Sequence, residues 1–73
     1  MDKFKEYEGV VCKNSIEMRE LAKLAEEKGH KIGWALTNKP KYKNIIFYTG
    51  EFYDAADWAI KYPITREEFI SKL

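Results

Sequence analysis

The sequence predicts one small α+β domain, and three observations lead to that prediction. Its 73 residues, 45% of them hydrophobic, can enclose a single core. Residues 15–28 have the spacing of an amphipathic helix, whereas residues 7–12 and 44–49 are short, β-branched and aromatic, which is typical of strands. We therefore expect residues 1–73 to form a single two-layer domain, with residues 1–6 as a loose N-terminus.

The main helix has clear signals at both ends. Asn14 or Ser15 can cap its first turn, and Glu17 has the spacing of a capping box with Asn14. Gly29 follows the last turn and accepts the left-handed conformation that ends many helices. The apolar stripe predicted to face the sheet contains Ile16, Leu21, Leu24 and Ala25, with Met18 and Ala22 at its edge.

The next segments predict a β-hairpin. Ile32, Trp34 and Leu36 alternate with smaller or polar residues, which is the period of a strand. Residues 37–43 form a polar connection that contains a proline. Residues 44–49 are apolar on both faces, so this strand is expected at the centre of its sheet. An antiparallel hairpin is the simplest way to join the two strands.

Residues 54–61 predict a short helix. Asp54 is a suitable cap, two alanines follow it, and Lys61 would lie at the C-terminal end, where a positive charge is favourable. An extended conformation from Phe52-Tyr53 into Trp58-Ile60 is the alternative.

The end of the chain predicts an extended stretch followed by a helix. Residues 62–64 should be extended because Tyr62 precedes a proline. Thr65 and Glu68 form a capping box that opens a short helix with Phe69 on its apolar side. The predicted order is β-α-β-β-α-(β)-α, with a mainly antiparallel sheet of three or four strands and the main helix on one face.

The charge is unevenly distributed although the net charge is only +1. Residues 1–27 and 51–73 each carry −2, whereas residues 28–50 carry +5 and no acidic residue. Lysines in such a block can contact phosphates while a neighbouring aromatic ring stacks on a base. A nucleic-acid-binding module that uses the basic 28–50 hairpin is therefore one functional hypothesis, although the block contains no arginine.

No residue pattern indicates catalysis, a cofactor or a metal site. Cys12 is the only cysteine and His30 the only histidine, so no zinc-type spacing exists. Cys12 is expected to be a buried thiol on a strand, and His30 a structural residue after the main helix. Asp54 and Asp57 are explained by helix electrostatics. We expect a non-enzymatic protein without cofactors.

The compartment is predicted from the same composition. A domain this small in an oxidising compartment usually carries disulfides, and a lone cysteine allows none within the chain. No apolar run approaches the roughly 20 residues of a membrane span, and the first residues are charged where a signal peptide is apolar. We expect a cytoplasmic protein with no membrane partner.

Several motifs resemble a group of small, largely uncharacterised bacteriophage and prophage proteins. They are Cys12-Lys13-Asn14 before the helix, Glu26 to Gly29 at its end, an aromatic strand with Trp34, and the final Trp58-Ala59, Tyr62 and Ile64-Thr65 with Glu68-Phe69. The resemblance covers most of residues 7–70. It implies a phage-encoded accessory protein in the cytoplasm of a bacterial host, and it assigns no binding residue.

Aromatic residues suggest how such a protein would act. The chain has more of them than one sheet face can bury, so some should form an exposed patch for a protein partner. The predicted partner is a host or phage protein. Interference with a host process or host defence is one form that this role could take, and self-association is an alternative. The candidate binding surface consists of Lys31, Lys39, Lys41, Tyr42, Lys43, Tyr48, Tyr53 and Trp58.

Overall fold

The computed structural model describes residues 3–73, which form a small α+β fold with the helices on one face of a sheet. The strands are β1 (Glu8–Val10), β2 (Lys31–Ile32), β3 (Asn44–Tyr48), β4 (Glu51–Ala55) and β5 (Tyr62–Pro63). The helices are α1 (Ser15–Glu27), α2 (Trp34–Asn38) and α3 (Arg66–Lys72), with a 3₁₀ helix at Asp57–Ala59.

The five strands make one mixed sheet in the order β2-β4-β3-β1-β5. β3 is central and antiparallel to both neighbours, while β1 pairs with β5 and β4 with β2 in parallel. β3 therefore runs opposite to the other four strands. The predicted sheet of three or four mainly antiparallel strands is wrong in this detail, because two crossover connections add a short parallel strand at each edge.

The main core lies between the sheet and the helices. Phe47 and Phe52 from the sheet meet Phe69 from α3, and α1 covers them with Met18 and Leu21. The ring centroid of Phe52 lies 5.2 Å from the ring centroids of both Phe47 and Phe69. The burial of Phe69 agrees with the prediction that the C-terminal helix helps to close the core.

The termini of the helices follow the local sequence signals. Asn14 Oδ1 accepts a hydrogen bond from the Glu17 amide at 3.0 Å, and Thr65 Oγ1 accepts one from the Glu68 amide at 3.0 Å. Gly29 has a φ of 90°, as a helix-ending glycine should. The helices predicted at 15–28 and after Thr65 are confirmed because their capping interactions are local.

The inward face of α1 differs from the predicted stripe. Met18 and Ala22, which were expected at its edge, are almost completely buried, whereas Ile16 is 68% exposed. Leu24 is half-buried, and Leu21 lies in the core as predicted. The helix is rotated toward its Met18 side because it packs against both α2 and α3 as well as the sheet.

The predicted hairpin between residues 31–36 and 44–49 is wrong. A strand would place Trp34 and Leu36 on one face, but Trp34 is 72% exposed and Leu36 is fully buried. Strand pairing stops where the Gly33 amide donates to Phe52 O, and α2 then turns Leu36 into the core. The strand that forms a hairpin with β3 is β4, which follows it directly.

The predicted helix at 54–61 is also wrong for most of its length. Thr49 and Gly50 both have positive φ values, 48° and 81°, which suits a two-residue hairpin turn. The turn pairs all five residues of β3 with β4. A central strand that is apolar on both faces needs neighbours on both sides, and this tertiary requirement outweighs the helix propensity of the alanines. The extended alternative is observed only as far as Ala55, whereas Trp58 lies in the 3₁₀ helix.

The expectation of a loose N-terminus does not extend to Phe4. Phe4 is 5% exposed, and its ring centroid lies 5.0 Å from that of Phe52 and 5.3 Å from that of Phe69. Residues 1–2 lie outside the part of the chain that the structure describes.

Candidate binding groove on the open face of the sheet

Within residues 3–73, one face of the sheet carries no α-helix, and we call it the open face. Its small core contains Ile46, Ala55 and Ile60. Ile60 belongs to residues 56–61, which cross this face from the end of β4 to β5. The crossing segment is fastened at its end, where the amides of Lys61 and Tyr62 both donate to Tyr7 O at 2.9 and 3.1 Å.

A groove with a volume of about 310 Å³ lies beside this crossing segment, and we call it the aromatic groove. Ile46 and Ala55 form its floor. Five rings surround the floor, each from a different segment of the chain: Tyr7, Tyr42, Tyr48, Tyr53 and Trp58. The size is at the lower end of the range for ligand sites.

Three of the tyrosines form a connected wall. The ring centroids of Tyr7 and Tyr48 are 5.2 Å apart, and those of Tyr48 and Tyr53 are 6.4 Å apart. Interaction with the Tyr48 hydroxyl raises the pKa of Tyr7 above its ordinary value of 10.0. Behind Tyr53, an added Cβ at Gly33 would lie 2.5 Å from the tyrosine ring, so the absence of a side chain at that position makes room for the wall.

Tyr42 and Trp58 are held on the other side of the groove by buried or partly buried polar groups. Asp54 Oδ2 accepts hydrogen bonds from the amides of Lys41 and Tyr42 at 2.7 and 3.0 Å, which ties the loop to β4. Asn44 is 1% exposed and donates through Nδ2 to Asp57, at the start of the 3₁₀ helix that carries Trp58. Trp58 itself is 86% exposed.

The candidate residues from the sequence divide into two groups. Tyr42, Tyr48, Tyr53 and Trp58 meet in the aromatic groove, although they lie as many as 16 positions apart in the chain. The groove also contains Tyr7, Ile46 and Asp54, which were not among the candidate binding residues. Alternation along 44–48 could have placed Ile46 and Tyr48 on the same face, but no local signal brings Tyr7 or Asp54 to it.

Lys31 lies apart from the lysines of the 39–43 loop. Lys31 pairs with Glu51 in the sheet, at the opposite end of β4 from Asp54 and the Lys41 amide. Lys43 Nζ donates to Cys12 O at 3.0 Å, so this ammonium group already has a partner. No lysine or arginine lines the groove among residues 3–73. The basic hairpin expected from the sequence is therefore not present as one structural unit.

The packing of Cys12 and His30 indicates structural roles for both residues. Cys12 is 1% exposed, and burial raises the pKa of its thiol from 9.0 to about 11. His30 packs edge-on against Phe4 and Phe52, with ring centroids 6.0 and 5.5 Å away. The described residues contain no group of three or more His, Cys, Asp or Glu side chains that could hold a metal ion.

None of the helices described is long and apolar enough to cross a bilayer. Comparisons with protein-family models, with curated proteins and with solved structures found no match. The resemblance to phage proteins therefore stays a prediction, and the candidate site depends on the geometry of the aromatic groove.

Proposed function

We propose that this protein is a non-enzymatic binding module and that it contacts a protein partner through the aromatic groove. The observation that carries the proposal is a cluster of one tryptophan and four tyrosines over an apolar floor, in which every ring except the half-buried Tyr53 is exposed. Tyr and Trp are the residues most enriched at the energetic centres of protein interfaces, because they bring large contact areas at a low entropic cost.

The exposed area supports a small contact. Tyr7, Tyr42, Tyr48 and Trp58 are 41%, 43%, 41% and 86% exposed. With 150–250 Å² for a complete aromatic side chain, they offer about 300–500 Å². A standard interface buries about 800 Å² on each partner. The groove therefore suits a short segment or a transient contact, in keeping with an accessory protein that binds a phage or host protein.

The support for a protein partner is stronger than that for nucleic acid. Of the described residues, one with a carboxylate and none with a cationic side chain line the groove, which is unfavourable for a polyanion. Lys39, Lys41 and Lys43 lie outside it, and Lys43 is held by a backbone carbonyl. A nucleic acid would have to bind the 39–43 loop without using the floor of the groove.

A selection of random displayed peptides tests the proposal. We expect peptides that bind the unaltered protein and lose about 30-fold in affinity for Trp58→Ala, the effect of removing a strong interface residue. Trp34→Ala is the matched control, because Trp34 is 72% exposed and lies outside the groove. Selected peptides that bind Trp58→Ala as tightly as Trp34→Ala, or a selection that yields no binding peptide, would contradict the proposal.

Anisotropy with labelled single-stranded and duplex DNA and RNA tests the alternative. We expect no binding at low salt. Binding that weakens when Lys39, Lys41 and Lys43 are all changed to Ala, with a salt slope reduced by about 0.7–0.9 for each lost phosphate contact, would instead favour the nucleic-acid hypothesis.

A further inference from the structure

We infer that the protein partner inserts an arginine side chain into the aromatic groove. This inference rests on the proposed function and adds the chemistry of recognition to it. Three properties of the groove lead to it: the sign of its charge, the character of its floor and the position of Asp54.

The first property is charge complementarity. The chain has 13 lysines and arginines, yet none of those described lines the groove, whose one charged residue is Asp54. The faces of aromatic rings are also negative, so five rings and one carboxylate favour a cation. An acidic side chain would be repelled there.

The second property is the apolar floor. Ile46 and Ala55 lie between the rings, with Ala59 of the crossing segment beside them. An ammonium or metal ion without an aliphatic stem would gain nothing from the apolar floor itself. A cation on a long aliphatic stem can bury its methylene groups on the floor while its charged end stays at the edge.

The third property selects arginine over lysine. Asp54 lies at one end of the groove, where its Oδ2 accepts hydrogen bonds from the Lys41 and Tyr42 amides. A guanidinium group is flat, stacks on tyrosine and tryptophan rings, and can bind a carboxylate at the same time. A lysine ammonium is more strongly hydrated and cannot stack in this way.

A second copy of this chain is a poorer occupant. The exposed rings offer about 300–500 Å², whereas a stable dimer needs about 800 Å² per subunit. Sedimentation of the purified protein should therefore show a monomer. If the unaltered protein is a dimer and the Trp58→Ala variant is a monomer, the inference is overturned and the groove is a self-association site.

The direct test is an NMR titration of the ¹⁵N-labelled protein with N-acetylarginine amide. N-acetylcitrulline amide is the control, because citrulline has the shape of arginine and no charge. We expect arginine to shift the Trp58 indole and the amides of Ile46 and Ala55, and to bind about 5- to 20-fold more tightly than citrulline. Equal binding of the two compounds, shifts outside the groove, or no binding would overturn the inference.

Asp54→Asn tests the carboxylate separately. The amide oxygen of asparagine can still accept the Lys41 and Tyr42 amides, so the loop should keep its position. The preference for arginine over citrulline should fall about two- to fivefold, which is the range for an exposed ion pair. Trp34→Ala should leave both affinities unchanged. An undiminished preference in Asp54→Asn would remove the carboxylate from the recognition.

The peptides selected for the proposed function separate the two hypotheses. Trp58-dependent peptides that contain arginine, and lose binding when it is replaced by citrulline, support both. Trp58-dependent peptides without a required arginine would leave the proposed function standing and overturn this inference. A selection without Trp58-dependent peptides contradicts the proposed function itself.

Discussion

Gly9→Ala is a sensitive test of how β1 lies against the central strand. A Cβ at residue 9 would be 2.1 Å from Ile45 O and 3.0 Å from Ile46 Cα, both in the backbone of β3. Ordinary van der Waals contact begins near 3.4 Å. The two strands would therefore have to separate by about 1 Å, since no side-chain rotation can relieve a contact with backbone atoms.

The cost follows from the interactions that the separation disturbs. Overpacking of this kind costs about 1–3 kcal/mol. Gly9 O also accepts the Ile64 amide at 2.8 Å, so moving β1 weakens its pairing with β5 as well, at about 1 kcal/mol per hydrogen bond. We expect a loss of about 2–4 kcal/mol, out of a total stability of about 4–11 kcal/mol for a chain of this length.

Urea unfolding followed by far-UV circular dichroism would measure this loss, and Gly50→Ala is the control. Gly50 has a φ of 81° with no heavy atom within 4 Å of an added Cβ, so alanine there should cost only about 1–2 kcal/mol of backbone strain. If Gly9→Ala is no more destabilising than Gly50→Ala, the close approach of β1 and β3 is wrong.

Three further predictions concern the helices and the core. In urea titrations, Met18→Ala should lower the free energy of unfolding by about 2–5 kcal/mol, whereas Ile16→Ala should lower it by less than about 0.5 kcal/mol. A larger loss for Ile16→Ala than for Met18→Ala would show that α1 faces the core with the stripe predicted from the sequence. Thr65→Ala should lower the free energy of unfolding by about 0.5–2 kcal/mol, with Thr65→Ser as the variant that keeps the hydroxyl bonded to the Glu68 amide; equal losses in both would exclude the cap as the cause. From pH 9 to about 11 the unfolded chain loses the Cys12 proton while the folded chain keeps it, so the free energy of unfolding should fall as pH rises and Cys12→Ala should fall less steeply; parallel pH profiles would contradict the raised pKa.

The features that could be predicted from the sequence are those controlled by neighbouring residues. The caps at Asn14 and Thr65 join groups three residues apart, and the end of α1 at Gly29 needs only a backbone that can adopt positive φ. The character of residues 44–48 as a central strand was also evident, because both faces of that segment are apolar. These elements are found with small changes in their bounds.

The candidate site was only partly predictable for the same reason. The abundance of aromatic residues indicated an exposed patch, and four of its rings were among the candidates. Their meeting with Tyr7 and Asp54 depends on the crossing of residues 56–61 over the open face and on the hydrogen bonds that fasten it. The grouping of Lys31 with the lysines at 39–43 failed because nearness in sequence does not imply nearness across a sheet.

Residues 31–36 and 51–61 show what only the tertiary structure decided. Both segments have sequences compatible with either helix or strand, so their local energies differ little between the two. The choice came from β3, which buries both faces and therefore takes β4 as a neighbour through the turn at Thr49 and Gly50. Once β4 fills that position, residues 31–32 can pair only along its outer edge, and the chain beyond them is free to turn Leu36 into the core. Pairing across the sheet outweighed propensity because a strand buried on both faces gains more from its neighbours than the alanines gain from a helix.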